Sequence, residues 1–204
     1  MTRIENGFVW PERDIHCHRA VFRSLDDLDL AMSLCKDRRT AIQAGGNCGV
    51  WPARMAETFN RVVTFEPDAE NYGCLVQNVP DNVDAHRAAL GQAPGKVGLQ
   101  RDPRNCGAYQ VEDLGHIPMV RIDDVVREFD VRNVDLICLD IEGYEIPALM
   151  GASLTLAEFH PVIQIEDKGL SDRYGYPKGA AEVWLAENFG YEVRHRVNRD
   201  VILT

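Results

Sequence analysis

No apolar run in this sequence approaches the length that crosses a bilayer, so a helical membrane span is excluded. There is no low-complexity tract and no internal repeat, which excludes solenoids and disordered linkers. The opening residues, MTRIENGFVWPERD, lack the apolar stretch of a secretory leader, and none is expected. Cysteines 17, 35, 48, 74, 106 and 138 form no CxxC pair. That spacing argues against a zinc site or a disulfide framework and for reduced thiols in a cytoplasm. Positive charge is in deficit, 22 Lys and Arg against 32 Asp and Glu, for a net charge of −10. Such a chain repels phosphate backbones overall, which disfavours a nucleic-acid partner without forbidding a local basic groove.

What is present is an ordinary globular composition, 45% hydrophobic and 26% charged over 204 residues, enough for one domain with a sizeable core. Residues 1–39 read as an irregular segment and then a helix, SLDDLDLAMSLCKD, packing on the core. Leu25, Leu28, Met32 and Cys35 recur there at helical spacing, with Ser24 as N-cap. The apolar face of that helix could also meet a second subunit, as in a homodimer.

From residue 40 to 204 short apolar runs alternate with helical stretches. Strands are expected at 40–44, 61–66, 83–88, 134–140, 161–166, 191–196 and 200–204, and helices at 52–59, 68–78, 122–129, 144–157 and 178–189. That alternation implies βαβ units and an α/β fold with a mostly parallel, doubly wound sheet. KVGLQR and IPMVRI interrupt the rhythm and read as an inserted hairpin. The last two strands flank VNRD so closely that they must be antiparallel. A doubly wound sheet ending in an antiparallel C-terminal hairpin resembles the Rossmann-like class I methyltransferase fold.

In such a sheet the ligand sits beyond the carboxyl ends of the strands, and the first strand empties into AGGNCGVWP. Gly45, Gly46 and Gly49 allow backbone amides to approach a ligand closely. The nicotinamide fingerprint fails, because Asn47 and Val50 stand where two of its glycines belong, and no Gly-Lys-Ser/Thr follows for a phosphate loop. The second strand ends in Glu66, at the distance where an acidic residue grips a ribose diol, and Pro67 reads as the first residue of the next helix. A nucleoside ligand without a required pyrophosphate is expected, and S-adenosylmethionine fits.

QAGGNCG, FEPDAENYGCLVQN, RIDDV, LICLDIEGYEIPALMGA and HPVIQIE, in that order, resemble the FkbM family of methyltransferases. The resemblance implies S-adenosylmethionine as methyl donor and O-methylation of a hydroxyl on a sugar, glycan precursor or secondary metabolite. It places Gly45, Asn47 and Gly49 along the methionine part of the cofactor and Glu66 on the ribose. HRAAL, with Arg87 and Ala88, would flank the adenine, and Asp140 and Glu142 would stand beside the transferred methyl. Gln43 departs from the family's usual Asp; a cofactor ammonium would lose a charged partner there, so weakened or rearranged binding is expected.

Methyl transfer to oxygen needs alignment, a base and exclusion of water. Asp140 and Glu142 share a side if the strand reaches 142, and adjacent carboxylates raise one another's proton affinity. Asp140 is the base candidate, Glu166 a second, and Glu145 reads as complementing the following helix N-terminus. A Mg²⁺ ion on Asp140, Glu142 and Glu166 is conceivable, but no metal is expected. His16 or His18 could cover the site, while His160 reads as structural. Tyr174 and Tyr176, with Arg101 and Arg104, are candidate acceptor contacts on loops. A cofactor-binding protein without turnover, motivated by Gln43, and a methyltransferase for RNA or protein are the competing readings.

Overall fold

The computed structural model describes residues 1–204. The chain opens with β1 (Thr2–Glu5) and β2 (Phe8–Pro11), an antiparallel ribbon turning at Asn6-Gly7, both at positive φ. Asn and Gly tolerate that backbone and make the turn whose twist matches paired strands. A short α1 (Cys17–Ala20) and a 3-10 turn lead into α2 (Leu25–Ser33). Ser24 does not cap α2. The 3-10 turn holds its backbone away from the extended form a cap requires, so its hydroxyl donates to the Val21 carbonyl and accepts from Trp51 Nε1 at 3.2 Å.

Next come β3 (Thr40–Ala44), α3 (Val50–Ala56), β4 (Arg61–Phe65), α4 (Ala69–Asn78) and β5 (Val83–His86). Pro67 stands before α4, and its cap is Asp68, whose side chain accepts from the amides of Glu70 and Asn71. The third expected strand ends at His86, where the chain leaves the main sheet. β6 (Ala89–Leu90), β7 (Gly95–Gln100) and β8 (Gln110–Val120) then form a separate three-stranded sheet, order β6-β8-β7. The expected insertion is present but longer, since β8 starts at Gln110.

The chain returns through α5 (Ile122–Glu128), β9 (Leu136–Leu139), α6 (Glu145–Met150), α7 (Ser153–Phe159), β10 (Val162–Glu166), α8 (Ala180–Phe189), β11 (Val193–Val197) and β12 (Asp200–Leu203). The single helix expected at 144–157 is two. Gly151 passes so close to Gly91 that an added Cβ would lie 2.1 Å from that carbonyl oxygen. Asp123 of α5 supplies the new cap, accepting from the amides of Leu154 at 3.2 Å and Thr155 at 2.9 Å.

The main sheet runs β11-β12-β10-β9-β3-β4-β5, with β5, β4, β3, β9 and β10 parallel and β12 antiparallel to both neighbours. Strand alternation divides the core. Ile42, Val63, Phe65, Ile137, Leu139 and Ile163 face the layer of α5 to α8. Ala41, Val62, Leu136 and Val162 face Leu28, Met32 and Met55 of α2 and α3. Each Val, Leu, Ile, Met or Phe side chain among them contributes about 1.5–3 kcal/mol when fully buried. The apolar face of α2 is therefore spent on its own sheet, which removes the sequence argument for a second subunit at that face. Strand order reverses between β3 and β9, and that switch point is where a ligand crevice belongs.

Candidate functional site

The glycine turn is locked to the end of β4. Gly45 and Gly46 both donate to the Phe65 carbonyl, at 3.1 and 2.9 Å. Gly45 has φ +82°, and a Cβ there would sit 1.9 Å from the Asp140 carbonyl oxygen. The turn thus lies directly against the end of β9, and only glycine allows it. The Asn47 amide donates to Glu66 Oε2 at 2.7 Å, and Asp68 donates to Glu66 Oε1 at 2.8 Å. Burial pushes the Glu66 carboxyl up to about 8, against the pull of those two amides.

These groups line a cavity of about 580 Å³ over the carboxyl ends of β3, β4, β9 and β10, within the usual range of small-molecule sites. Gly45, Gly46, Asn47, Glu66, Pro67, Ala88, Asp140, Glu142 and Glu166 all reach its wall. Gly49, Arg87 and Gln43 do not. Gly49, at φ +92°, stands just before α3, and Arg87 is exposed. Gln43 is fully buried in β3, accepting from the Thr64 hydroxyl at 2.5 Å and donating to the Ala44 carbonyl at 3.0 Å. Its side chain completes hydrogen bonds within the sheet.

At the ends of β9 and β10 the carboxylate oxygens of Asp140, Glu142 and Glu166 lie within 4.8 Å of one another. Strand alternation is not what joins them: β9 stops at Leu139, and Glu142 at φ +55° swings its side chain back in the turn. Glu145 braces that turn, its Oε1 accepting from the amides of Ile141 and Gly143, both at 3.2 Å. Burial first, then the facing Glu166, raise the Asp140 carboxyl to about 8. Lys168, unnoticed in the sequence, donates to Glu142 Oε1 at 3.1 Å and pairs with Glu166. Burial works against its charge, yet the three carboxylates hold the ammonium above its ordinary range. The spacing of the carboxylates would suit a divalent cation; here Lys168 supplies the positive charge.

Other expectations fall elsewhere. His18 is buried, with Nδ1 at 2.9 Å from Asp14 and Nε2 at 3.2 Å from Glu5, while the neighbouring Cys17 reaches the cavity. His160 stacks on Tyr191 and contacts the Phe189 carbonyl, a structural role. Tyr174 packs edge-on behind Tyr144, and of the two it is Tyr144 that reaches the wall. Arg101 pairs with Asp68 at 2.7 Å. Asn71 and Tyr109 were missed. Both line the cavity, and Asn71 Oδ1 and the Tyr109 hydroxyl are buried without a protein partner. Unpartnered polar atoms on a cavity wall suit a ligand rich in hydroxyl and amino groups.

A sheet of this order, with a glycine turn at the switch point and an acidic residue ending the second core strand, defines a class I methyltransferase fold. A Geobacter metallireducens precorrin-6y C5,15-methyltransferase shares it, with TM-score 0.53 and 16% identity over 98% of this chain and 92% of that one. So does a Streptococcus mutans protein in complex with SAH, with TM-score 0.52 and 9% identity over 88% and 95%. The chain belongs to the FkbM methyltransferase domain family, which it matches over residues 45–193. It is 23% identical over 198 residues to the hexuronic acid methyltransferase AglP of Haloferax volcanii, covering 94% of this chain and 77% of AglP. The FkbM methyltransferase of Methylobacillus flagellatus matches with TM-score 0.57 and 22% identity over 84% of this chain, which spans only 44% of that longer one. Membership of a methyltransferase family brings S-adenosylmethionine as the donor for which the turn, Glu66 and the unpartnered wall atoms are suited.

Proposed function

We propose that the chain is an S-adenosylmethionine-dependent O-methyltransferase acting on a hydroxyl of a sugar, sugar acid or similar metabolite, with Asp140 as general base. One observation carries this reading: the glycine turn and the carboxylate cluster share a backbone contact, at Gly45 and Asp140. Gly45, Gly46 and Asn47 would hold the methionine part of the cofactor, Glu66 and Asn71 its ribose, and Ala88 with Leu90 its adenine. When bound, the cofactor supplies an electrophilic methyl group on sulfur. Asp140 receives the acceptor's proton; a carboxyl raised to about 8 is matched to that task near neutral pH. Burial and the facing Glu166 keep its proton affinity high, and Lys168 keeps the cluster from accumulating unbalanced charge. Tyr144 and Leu99 line the same wall and would exclude water.

The similarity to AglP supports a carbohydrate acceptor. Six free, buried thiols suit a reducing cytoplasm. Binding without turnover rested on Gln43, and Gln43 is off the cavity wall, so that reading has no observation behind it. The experiment is transfer of labelled methyl from S-adenosylmethionine to a panel of neutral hexoses and hexuronic acids. Label in an alkali-stable ether is the expected result. Label only in an alkali-labile ester, or in no sugar, overturns the assignment.

A further inference from the structure

The cysteines are scattered in sequence but not in space. Cys17, Cys48, Cys74 and Cys106 meet with Trp10 and Val50 in one buried cluster beside the N-terminal ribbon. Cys17 interacts side chain to side chain with Cys106, Cys106 with Cys48, and Cys48 with Cys74. Only Cys17 and Cys106 of these four also line the cavity. They stand on separate pieces of chain, α1 and the loop between β7 and β8.

A single buried carboxylate oxygen sets their spacing. Asp14 Oδ1 accepts from the Cys17 amide at 3.1 Å and from the Cys106 amide at 3.2 Å. Two amides on one oxygen bring the two backbones side by side, and a disulfide needs such an approach, with Cα atoms roughly 4.4–6.8 Å apart. Cys17 Sγ lies against the residue after Cys106: a Cβ on Gly107 would be 2.9 Å from it. Cys106 is tied in turn to the glycine turn, because Asn47 Nδ2 donates to its carbonyl at 3.0 Å and its thiol donates to Asn47 Oδ1 at 3.7 Å.

We propose that Cys17 and Cys106 are an oxidation site, forming a reversible disulfide that staples α1 to the β7–β8 loop over the glycine turn, with hydrogen peroxide entering through the cavity as oxidant. The Cys106 thiolate attacks one peroxide oxygen; the O–O bond breaks, and a sulfenic acid and one water result. The Cys17 sulfur then attacks the Cys106 sulfur, the S–O bond breaks, and a second water leaves. Two thiols lose two electrons and two protons, and one peroxide becomes two waters. Hydrogen bonds from the Cys17 and Cys48 thiols pull the Cys106 thiol below its ordinary range, which makes it the sulfur that reacts first. Cys48 and Cys74 do not reach the cavity wall and stay reduced.

The test is peptide mapping of the folded, full-length chain after peroxide and alkylation, without reductant. The expected result is one linked pair of peptides carrying Cys17 and Cys106, released by dithiothreitol and absent from C17S and C106S. Mapping of the unsubstituted chain decides the matter even if those variants fold poorly. A pair linked through Cys48 or Cys74, or no intramolecular disulfide, overturns the proposal. The route through the cavity rests on the cofactor reading above. S-adenosylhomocysteine at 100 times its dissociation constant should slow oxidation about 100-fold by occupying the cavity. An unchanged rate with calorimetrically proven binding overturns that route. If calorimetry finds no binding, the cofactor reading fails while the mapping still decides the disulfide.

Discussion

Replacing Asp140 by Asn removes the proposed base while keeping its shape, and the consequence can be worked from its surroundings. Burial and the facing Glu166 hold the Asp140 carboxyl at about 8. Only the ionised form takes a proton, so kcat/KM should climb about tenfold per pH unit below 8 and level off above it. D140N should lose that limb and about 10²–10⁴ in turnover, equivalent to about 2.7–5.5 kcal/mol on the barrier. A second readout needs no acceptor. An unfolded Asp titrates near 3.9, so between about 4 and 8 the folded chain binds the extra proton. Stability from this group is therefore fully present at low pH and is lost as pH rises through 8. The loss amounts to several kcal/mol, at about 1.4 kcal/mol per tenfold change in proton affinity. Guanidinium unfolding at intervals from pH 5 to 9 should show D140N gaining on the unsubstituted chain across that window. E166Q should shift the limb to lower pH by removing the repelling neighbour. Parallel stability profiles for D140N and the unsubstituted chain, or a surviving pH limb in D140N, would refute the reasoning.

Gly45→Ala places a methyl group against the Asp140 carbonyl on a backbone at φ +82°. At about 1–2 kcal/mol for the left-handed backbone alone, and about 2–4 °C per kcal/mol for a chain this size, the melting midpoint should fall by several degrees. Calorimetry should show S-adenosylhomocysteine binding weakened at least tenfold, by analogy with other 1.4 kcal/mol losses; unchanged affinity counts against the turn as cofactor site. Gln43→Asp should lower stability by about 1–3 kcal/mol, read by denaturant titration, because a shorter carboxylate cannot keep both the Thr64 and Ala44 hydrogen bonds. A gain in cofactor affinity without loss of stability would return Gln43 to the ligand. With the Lys168 ammonium on Glu142 and Glu166, turnover should be indifferent to EDTA; a loss restored by Mg²⁺ would identify the carboxylates as a metal site.

The parts of this fold that were legible in the sequence are those decided by local pattern. Buried parallel strands such as TAIQA and VVTF read as short apolar runs, and the glycine turn and Glu66 stand at the ends of the first two of them. The Asn6-Gly7 hairpin was equally local and was overlooked, although Asn-Gly between apolar residues is a strong turn signal. Helix 144–157 could not be divided by inspection, since what divides it is Gly91 approaching from another element and Asp123 capping from a third.

The site itself divides the same way. A strand pattern says which residues alternate, but it does not say which partner satisfies a buried polar group, and that choice decided Gln43. Its neighbour in register is Thr64, whose hydroxyl is a local solution to the same hydrogen-bonding demand that a ligand would meet. Lys168 reached the cluster because β10 ends one strand away from β9, a fact of topology. The pairing of Cys17 with Cys106 depends on Asp14 binding their two amides, 89 positions apart in number, through one oxygen. No spacing rule for metal or disulfide motifs would find such a pair, since those rules describe cysteines brought together by a short loop. In this chain it is single buried carboxylates, Asp14, Glu66 and Glu145, that bind amides from distant or turning segments and so build the cavity wall. Their burial has a physical reason. Each replaces its lost water with backbone donors, and a wall assembled from such bonds can stand open to a ligand without collapsing into the core.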